Sequence, residues 1–109
     1  MAYYQNTHDQ FVTIAHDGMI KVWNSDTLTL VKYSRIKSGY LTSLISFQNG
    51  FVVGTGNGEL IKFTHDLDRE WTKKVHFDCV NDVLETEKYL VSVGSDGKIC
   101  FLDKHTFTL

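Results

Sequence analysis

The sequence predicts an all-β fold made of one repeated four-stranded antiparallel sheet, and three observations carry that prediction. Gly-centred turns recur at His16-Asp17-Gly18, Gly56-Asn57-Gly58 and Ser95-Asp96-Gly97, with 40 residues from Gly18 to Gly58 and 39 from Gly58 to Gly97. The flanks align in the same register. Phe11, Phe51 and Leu90 stand seven before the Gly; Val12, Val52 and Val91 stand six before it; Ile20, Leu60 and Ile99 follow by two; and Trp23, Phe63 and Leu102 follow by five. Four coincidences in one register identify a true repeat, which outranks any local motif in deciding a fold. Finally, no stretch sustains a helical period with caps.

Within each repeat the elements follow from local chemistry. Phe11 to Ala15 and Met19 to Trp23 are short β-branched or aromatic runs around Asp-Gly, a tight-hairpin signal because the turn needs positive φ. Phe51 to Thr55 with Glu59 to Phe63, and Tyr89 to Gly94 with Lys98 to Leu102, repeat that hairpin. A strand precedes each of these two, at Leu41 to Phe47 and Cys79 to Leu84, and an outer strand follows the first two hairpins at Thr29 to Arg35 and Arg69 to Val75. Counting back from Gly18 places a first strand around Ala2 to Gln5.

Side-chain pattern decides how the sheets pack. Phe11-Val12-Thr13-Ile14-Ala15 and Leu90-Val91-Ser92-Val93 are apolar on both faces, so each sheet is expected to lie between neighbours. Repeated four-stranded sheets stacked face to face around an axis are blades of a β-propeller. The phase gives repeats at 1–36, 37–76 and 77–109, which is two complete blades and most of a third. Propellers close with about four to eight blades, so about three form an incomplete propeller. The expectation is that this is a piece of a larger propeller, or that a homo-oligomer or another chain supplies the missing blades.

With these residues in place, the chain resembles the WD40-repeat family over essentially its whole length. Ile14-Ala15-His16-Asp17-Gly18-Met19-Ile20-Lys21-Val22-Trp23-Asn24 and Val91-Ser92-Val93-Gly94-Ser95-Asp96-Gly97-Lys98-Ile99-Cys100-Phe101-Leu102-Asp103 resemble that family's Ser-Gly-Ser-x-Asp-Gly turn and the strand ending in Trp-Asp. The repeats diverge from it. The closing pairs are Trp23-Asn24, Phe63-Thr64 and Leu102-Asp103, and the family's Gly-His is replaced by Ser38-Gly39-Tyr40 and Val75-His76. The resemblance implies a blade-stiffening tetrad of His, Ser or Thr, Asp and Trp. His76, Ser92 and Asp96 are placed at three of its corners, and Leu102 stands in the Trp slot, a loss of about 1 kcal/mol in hydrogen bonding.

Composition narrows the function classes. The 109 residues are 42% apolar and 22% charged, with no Pro and a formal charge of −2, so no general attraction draws the chain to nucleic acid or to a membrane. No apolar run approaches a membrane span of about 18 residues, and the start, MAYYQNTHDQ, lacks signal-peptide features. Two cysteines, Cys79 and Cys100, are too few for a disulfide scaffold, which favours an intracellular setting, cytoplasmic or nuclear.

Motifs that invite chemistry have structural readings. Gly54-Thr55-Gly56-Asn57-Gly58 falls in the hairpin slot and leads into a strand, whereas phosphate loops lead into a helix. His8-Asp9, His16-Asp17 and His65-Asp66 are adjacent pairs on extended chain, whose side chains point to opposite faces. His76, Cys79, Cys100 and His105 supply zinc-ligand atoms, but the two cysteines fall two strands apart, about 10 Å. The basic cluster Lys32, Tyr33, Arg35 and Lys37, and the acidic Asp66, Asp68 and Glu70 beside Trp71, read as charged edges that blunt strand pairing. No catalytic residue, metal or cofactor is therefore predicted. The resemblance implies a non-catalytic scaffold binding other proteins, with contacts at His16, Tyr40, Asn57, His76 and Ser95 on one rim. Two other readings remain. One is a ligand-binding or enzymatic propeller using Thr42, Ser43, Ser46, Asn81 and Asp82 in a central channel; the other is a ribonucleoprotein-complex subunit.

Overall fold

The computed structural model describes residues 2–5, 9–36, 40–48 and 50–106. Three antiparallel sheets follow one another along the chain. Blade 1 holds β1 (Ala2–Gln5), β2 (Gln10–Ile14), β3 (Met19–Asn24) and β4 (Leu30–Arg35), hydrogen-bonded in that order. Blade 2 repeats the order with β5 (Leu41–Phe47), β6 (Gly50–Thr55), β7 (Glu59–Thr64) and β8 (Arg69–Lys74). Blade 3 has β9 (Val80–Glu85), β10 (Tyr89–Gly94) and β11 (Ile99–Asp103), three strands among the described residues. No helix occurs among them. The first strands of the blades, β1, β5 and β9, neighbour one another and line the axis of the arc.

The three central hairpins turn by the same device. Gly18, Gly58 and Gly97 sit at φ +86°, +85° and +78°, and each donates its N–H to the carbonyl three residues back, on Ala15, Thr55 and Gly94. This is the three-residue hairpin that ends on a left-handed residue, where Gly costs least. The turn that joins each of these hairpins to the next strand also has a common logic. Asn24 Oδ1 accepts from the amides of Asp26 and Thr27, Thr64 Oγ accepts from Asp68, and Asp103 Oδ1 accepts from His105 and Thr106. An acceptor oxygen is what this position requires, which explains why Asn, Thr and Asp all serve there.

Alternation along the strands sends each blade's two faces to two neighbours. Val12, Ile14, Ile20 and Val22 of blade 1 pack against Leu41, Phe51, Val53, Ile61 and Phe63 of blade 2. The opposite face of blade 2, with Phe47, Val52 and Leu60, packs against Val80, Val83, Leu90 and Leu102 of blade 3. Lys62 is buried on that second face and pairs with Glu70 on the adjacent outer strand. Every residue of β6 is buried. By contrast Phe11 and Thr13, and Val91 and Val93, are only half-buried. The strands read from sequence as covered on both faces are therefore covered on one by the described residues.

Candidate functional site

The equivalent turns at Gly18, Gly58 and Gly97 lie at one rim of the arc, and the residues singled out from sequence separate there into a buried set and a surface set. His76, between β8 and β9, belongs to the first. Its backbone N–H donates to Gly58 O at 3.0 Å, which ties it to the blade 2 turn, while its ring is directed into blade 3. Nδ1 lies 3.1 Å from Asp96 Oδ1 and Nε2 lies 2.9 Å from Ser92 Oγ. Asp96 also accepts from the amides of Phe77 and Lys98 at 3.0 Å. An ionised Asp96 only accepts, so Nδ1 carries the proton, and Nε2 shares the hydrogen bond with Ser92 Oγ. Burial raises the Asp96 carboxyl, but the Phe77 and Lys98 amides and the His76 ring outweigh it and hold it below the ordinary carboxylate value.

Gly94 makes room for this chain of bonds, since a Cβ there would stand 2.5 Å from His76 Nδ1 and 2.8 Å from Asp96 Oδ1. Leu102 fills the remaining corner with apolar volume. Blade 1 carries a different part of the same pattern: Trp23 Nε1 donates to Thr13 Oγ1 at 3.0 Å. Blade 2 carries neither, having Val53 and Phe63 at the equivalent positions, both buried. His76, also expected among the partner contacts, is 2% exposed and joins two blades, its backbone N–H bonded to blade 2 and its ring to blade 3.

The surface set is His16, Tyr40, Asn57 and Ser95, all exposed. Tyr40 joins them. Its ring covers Gly56, where a Cβ would stand 2.6 Å from it, and tilts against the His16 ring at 5.3 Å. Cys79 raises the Tyr40 hydroxyl above its ordinary value, with burial and Asp78 adding to this. One aromatic side chain thus touches the turns of blades 1 and 2 and Cys79, just before β9 of blade 3, and it is still 43% exposed. Ser95 donates to Asn81 Oδ1 at 3.0 Å, and the Asn57 carbonyl accepts from Lys74 Nζ at 2.8 Å. These bonds fix the turns on which the rim is built.

The remaining sequence motifs are absorbed structurally. Lys32 on β4 of blade 1 pairs with Asp66, in the turn before β8 of blade 2, at 3.3 Å, Arg35 donates to Asp17 O, and Trp71 packs on the second core; Lys37 and Ser38-Gly39 lie outside the described residues, as does His8. Cys79 and Cys100 are free, and the Cys100 thiol, raised by burial, donates to Val75 O at 2.9 Å. Of the inner-strand set, Ser46, Asn81 and Asp82 are exposed, whereas Thr42 and Ser43 have buried hydroxyls without a partner. A Cβ on Gly54 would stand 2.3 Å from Ser43 Oγ, so that hydroxyl is held against the sheet. No group of three metal-ligating side chains stands together among the described residues.

No family model matches the chain, and no curated protein matches it. Solved structures do. The computationally designed Ika4 protein superposes with a TM-score of 0.77 at 21% identity, covering 91% of this chain and 62% of that one. Saccharomyces cerevisiae Sqt1 gives 0.76 at 13%, covering 90% of this chain and 29% of its own, and the designed Ika8 protein gives 0.75 at 21%, covering 89% and 31%. The likeness shows the fold, and the chain spans less than two thirds of each of these proteins.

Proposed function

We propose that this chain is a non-catalytic scaffold that binds other proteins through the turn rim centred on Tyr40. The observation that carries the reading is the seating of Tyr40. Its ring is fixed by His16 and Gly56 and still presents a broad amphipathic surface. Aromatic side chains of this kind anchor interfaces at low ordering cost, and turns held by a rigid sheet need little reorganisation on binding. The resemblance to WD40 repeats and the likeness in fold to Sqt1 support the same reading, because sheets of this kind hold their loops rigidly.

The test is affinity capture with the chain and with the double variant Tyr40→Ala/Asn57→Ala, after both are shown to melt alike. The expected result is a set of proteins retained by the first and lost by the second. Equal retention by both would contradict the rim as the binding surface.

A further inference from the structure

The three rim turns match in backbone and differ in one side chain. Asp17, Asn57 and Asp96 each precede the Gly that holds positive φ. In blades 1 and 3 the carboxylate belongs to the turn: Asp17 Oδ1 accepts from Met19 N and Asp96 Oδ1 from Lys98 N, both at 3.0 Å. In blade 2 the equivalent amide, Glu59 N, donates instead to Thr55 Oγ1 at 3.1 Å, which also accepts from Asn57 N at 3.3 Å. Asn57 is exposed, and the residue after it has to be Gly, because φ is +85° and a Cβ there would stand 2.1 Å from His76 O. No side chain on residue 58 therefore shields its nitrogen from Asn57 Cγ, which the chain itself holds nearby.

A second observation concerns the peptide group that joins these two residues. Lys74, the last residue of β8, donates from Nζ to Asn57 O at 2.8 Å. That oxygen and Gly58 N belong to one amide, so negative charge left on the nitrogen when it gives up its proton is shared with the oxygen. An ammonium at hydrogen-bond distance stabilises that charge. Gly58 N–H donates to Thr55 O at 3.2 Å, the long limit for such a bond. Blade 1 repeats the arrangement, with Arg35 Nε donating to Asp17 O at 3.3 Å. The cation on the turn carbonyl is thus common to two blades, and of the three turn residues Asn57 is the one whose side chain can release ammonia.

We propose that Asn57 is a self-modification site, converted in the folded chain to aspartyl and isoaspartyl forms by its own turn, with Lys74 activating the amide and water as the co-reactant. The Gly58 nitrogen, having lost its proton, attacks Asn57 Cγ. A bond forms from that nitrogen to Cγ, the bond from Cγ to Nδ2 breaks, and the side-chain nitrogen leaves as ammonia with a proton returned by solvent. Water then opens the five-membered imide. Cleavage of the new bond gives aspartate, cleavage of the original peptide bond gives the isoaspartyl linkage, and nothing is oxidised or reduced. The aspartyl product matches the turns of blades 1 and 3, since a carboxylate at position 57 can accept the Glu59 amide as Asp17 and Asp96 accept theirs. The isoaspartyl product adds one carbon to a backbone turn closed by Gly58 N on Thr55 O. Either product places one negative charge on the rim. The inference goes beyond the scaffold reading and does not depend on it.

The experiment is a time course of the chain in neutral buffer, read by mass spectrometry of the tryptic peptide spanning 38–62, whose fragments separate Asn57 from Asn49. Conversion at Asn57 is expected to run several-fold faster in the folded chain than in the same chain unfolded in guanidinium chloride. Folded Lys74→Gln is expected to fall to the unfolded rate or below it, and Lys74→Arg, which keeps the cation, to retain most of the wild-type rate. A folded wild-type rate at or below the unfolded one would overturn the proposal, as would an unchanged rate in folded Lys74→Gln. Should Lys74→Gln fail to fold, the ratio of folded to unfolded rates in the wild type decides alone. Partner binding enters none of these readouts, so the result stands apart from the capture experiment.

Discussion

Blade 2 and blade 3 share one register and differ in the chemistry placed at equivalent positions. Where blade 2 has Val53, Ile61 and Phe63, blade 3 has Ser92, Cys100 and Leu102. Blade 2 is covered on both sides and is held by apolar packing, with the Phe51 and Phe63 rings stacked at 5.4 Å. Blade 3 is covered on one side and is pinned by a polar chain from Ser92 through His76 to Asp96. The difference teaches that one backbone repeat tolerates two ways of fixing a sheet: close packing where a neighbour lies on each side, and directional bonds where one side is open.

The largest expected effect is on the packed blade. Phe51→Ala should cost about 3–5 kcal/mol by removing a fully buried ring, while Phe11→Ala at the equivalent position of blade 1 should cost about 1 kcal/mol. Urea unfolding of both variants measures the gap, and equal losses would erase the distinction between covered and open faces. Gly94→Ala should cost about 1–3 kcal/mol, since the new Cβ meets His76 and Asp96, and Gly97→Ala, with open space but φ +78°, about 1 kcal/mol.

Ser92→Val installs the blade 2 residue in blade 3. The loss should be about 1–3 kcal/mol, because His76 Nε2 is then buried without a partner, and differential scanning calorimetry would show it. Trp23→Phe removes one bond to Thr13 on a half-open face and should cost about 0.5–1.5 kcal/mol. The pH response sharpens the comparison further. The folded-state carboxyl of Asp96 lies below the ordinary 3.8, so its contribution is complete above that value and is lost as pH falls through the lower one. Melting temperature followed below about pH 5 should therefore fall less steeply in Asp96→Asn than in the wild type; an unchanged slope would remove Asp96 from the pinning of blade 3.

Much of this was legible in the sequence, for reasons that can be named. Gly18, Gly58 and Gly97 mark the hairpins because few other residues tolerate their φ, and the strand bounds follow from them within a residue or two. His76, Ser92 and Asp96 are grouped in the sequence only through the resemblance to WD40 repeats, which implies their tetrad. What was not legible depends on neighbours. The burial of His76 is set by the blade 2 turn beside it. The bridging seat of Tyr40 requires three blades to meet, and a buried Lys62 contradicts any reading by residue type. Leu28 and Leu67 in left-handed turns defy local preference altogether, so only the fold reveals them.

The central claim is that blade 2 is fixed by packing on both faces, and blades 1 and 3 by packing on one. Amide hydrogen exchange on the chain tests it most directly. The expected result is that β6 and β7 are the slowest strands, while β2, β3, β10 and β11 exchange faster. End-blade protection that equals that of β6 would contradict it.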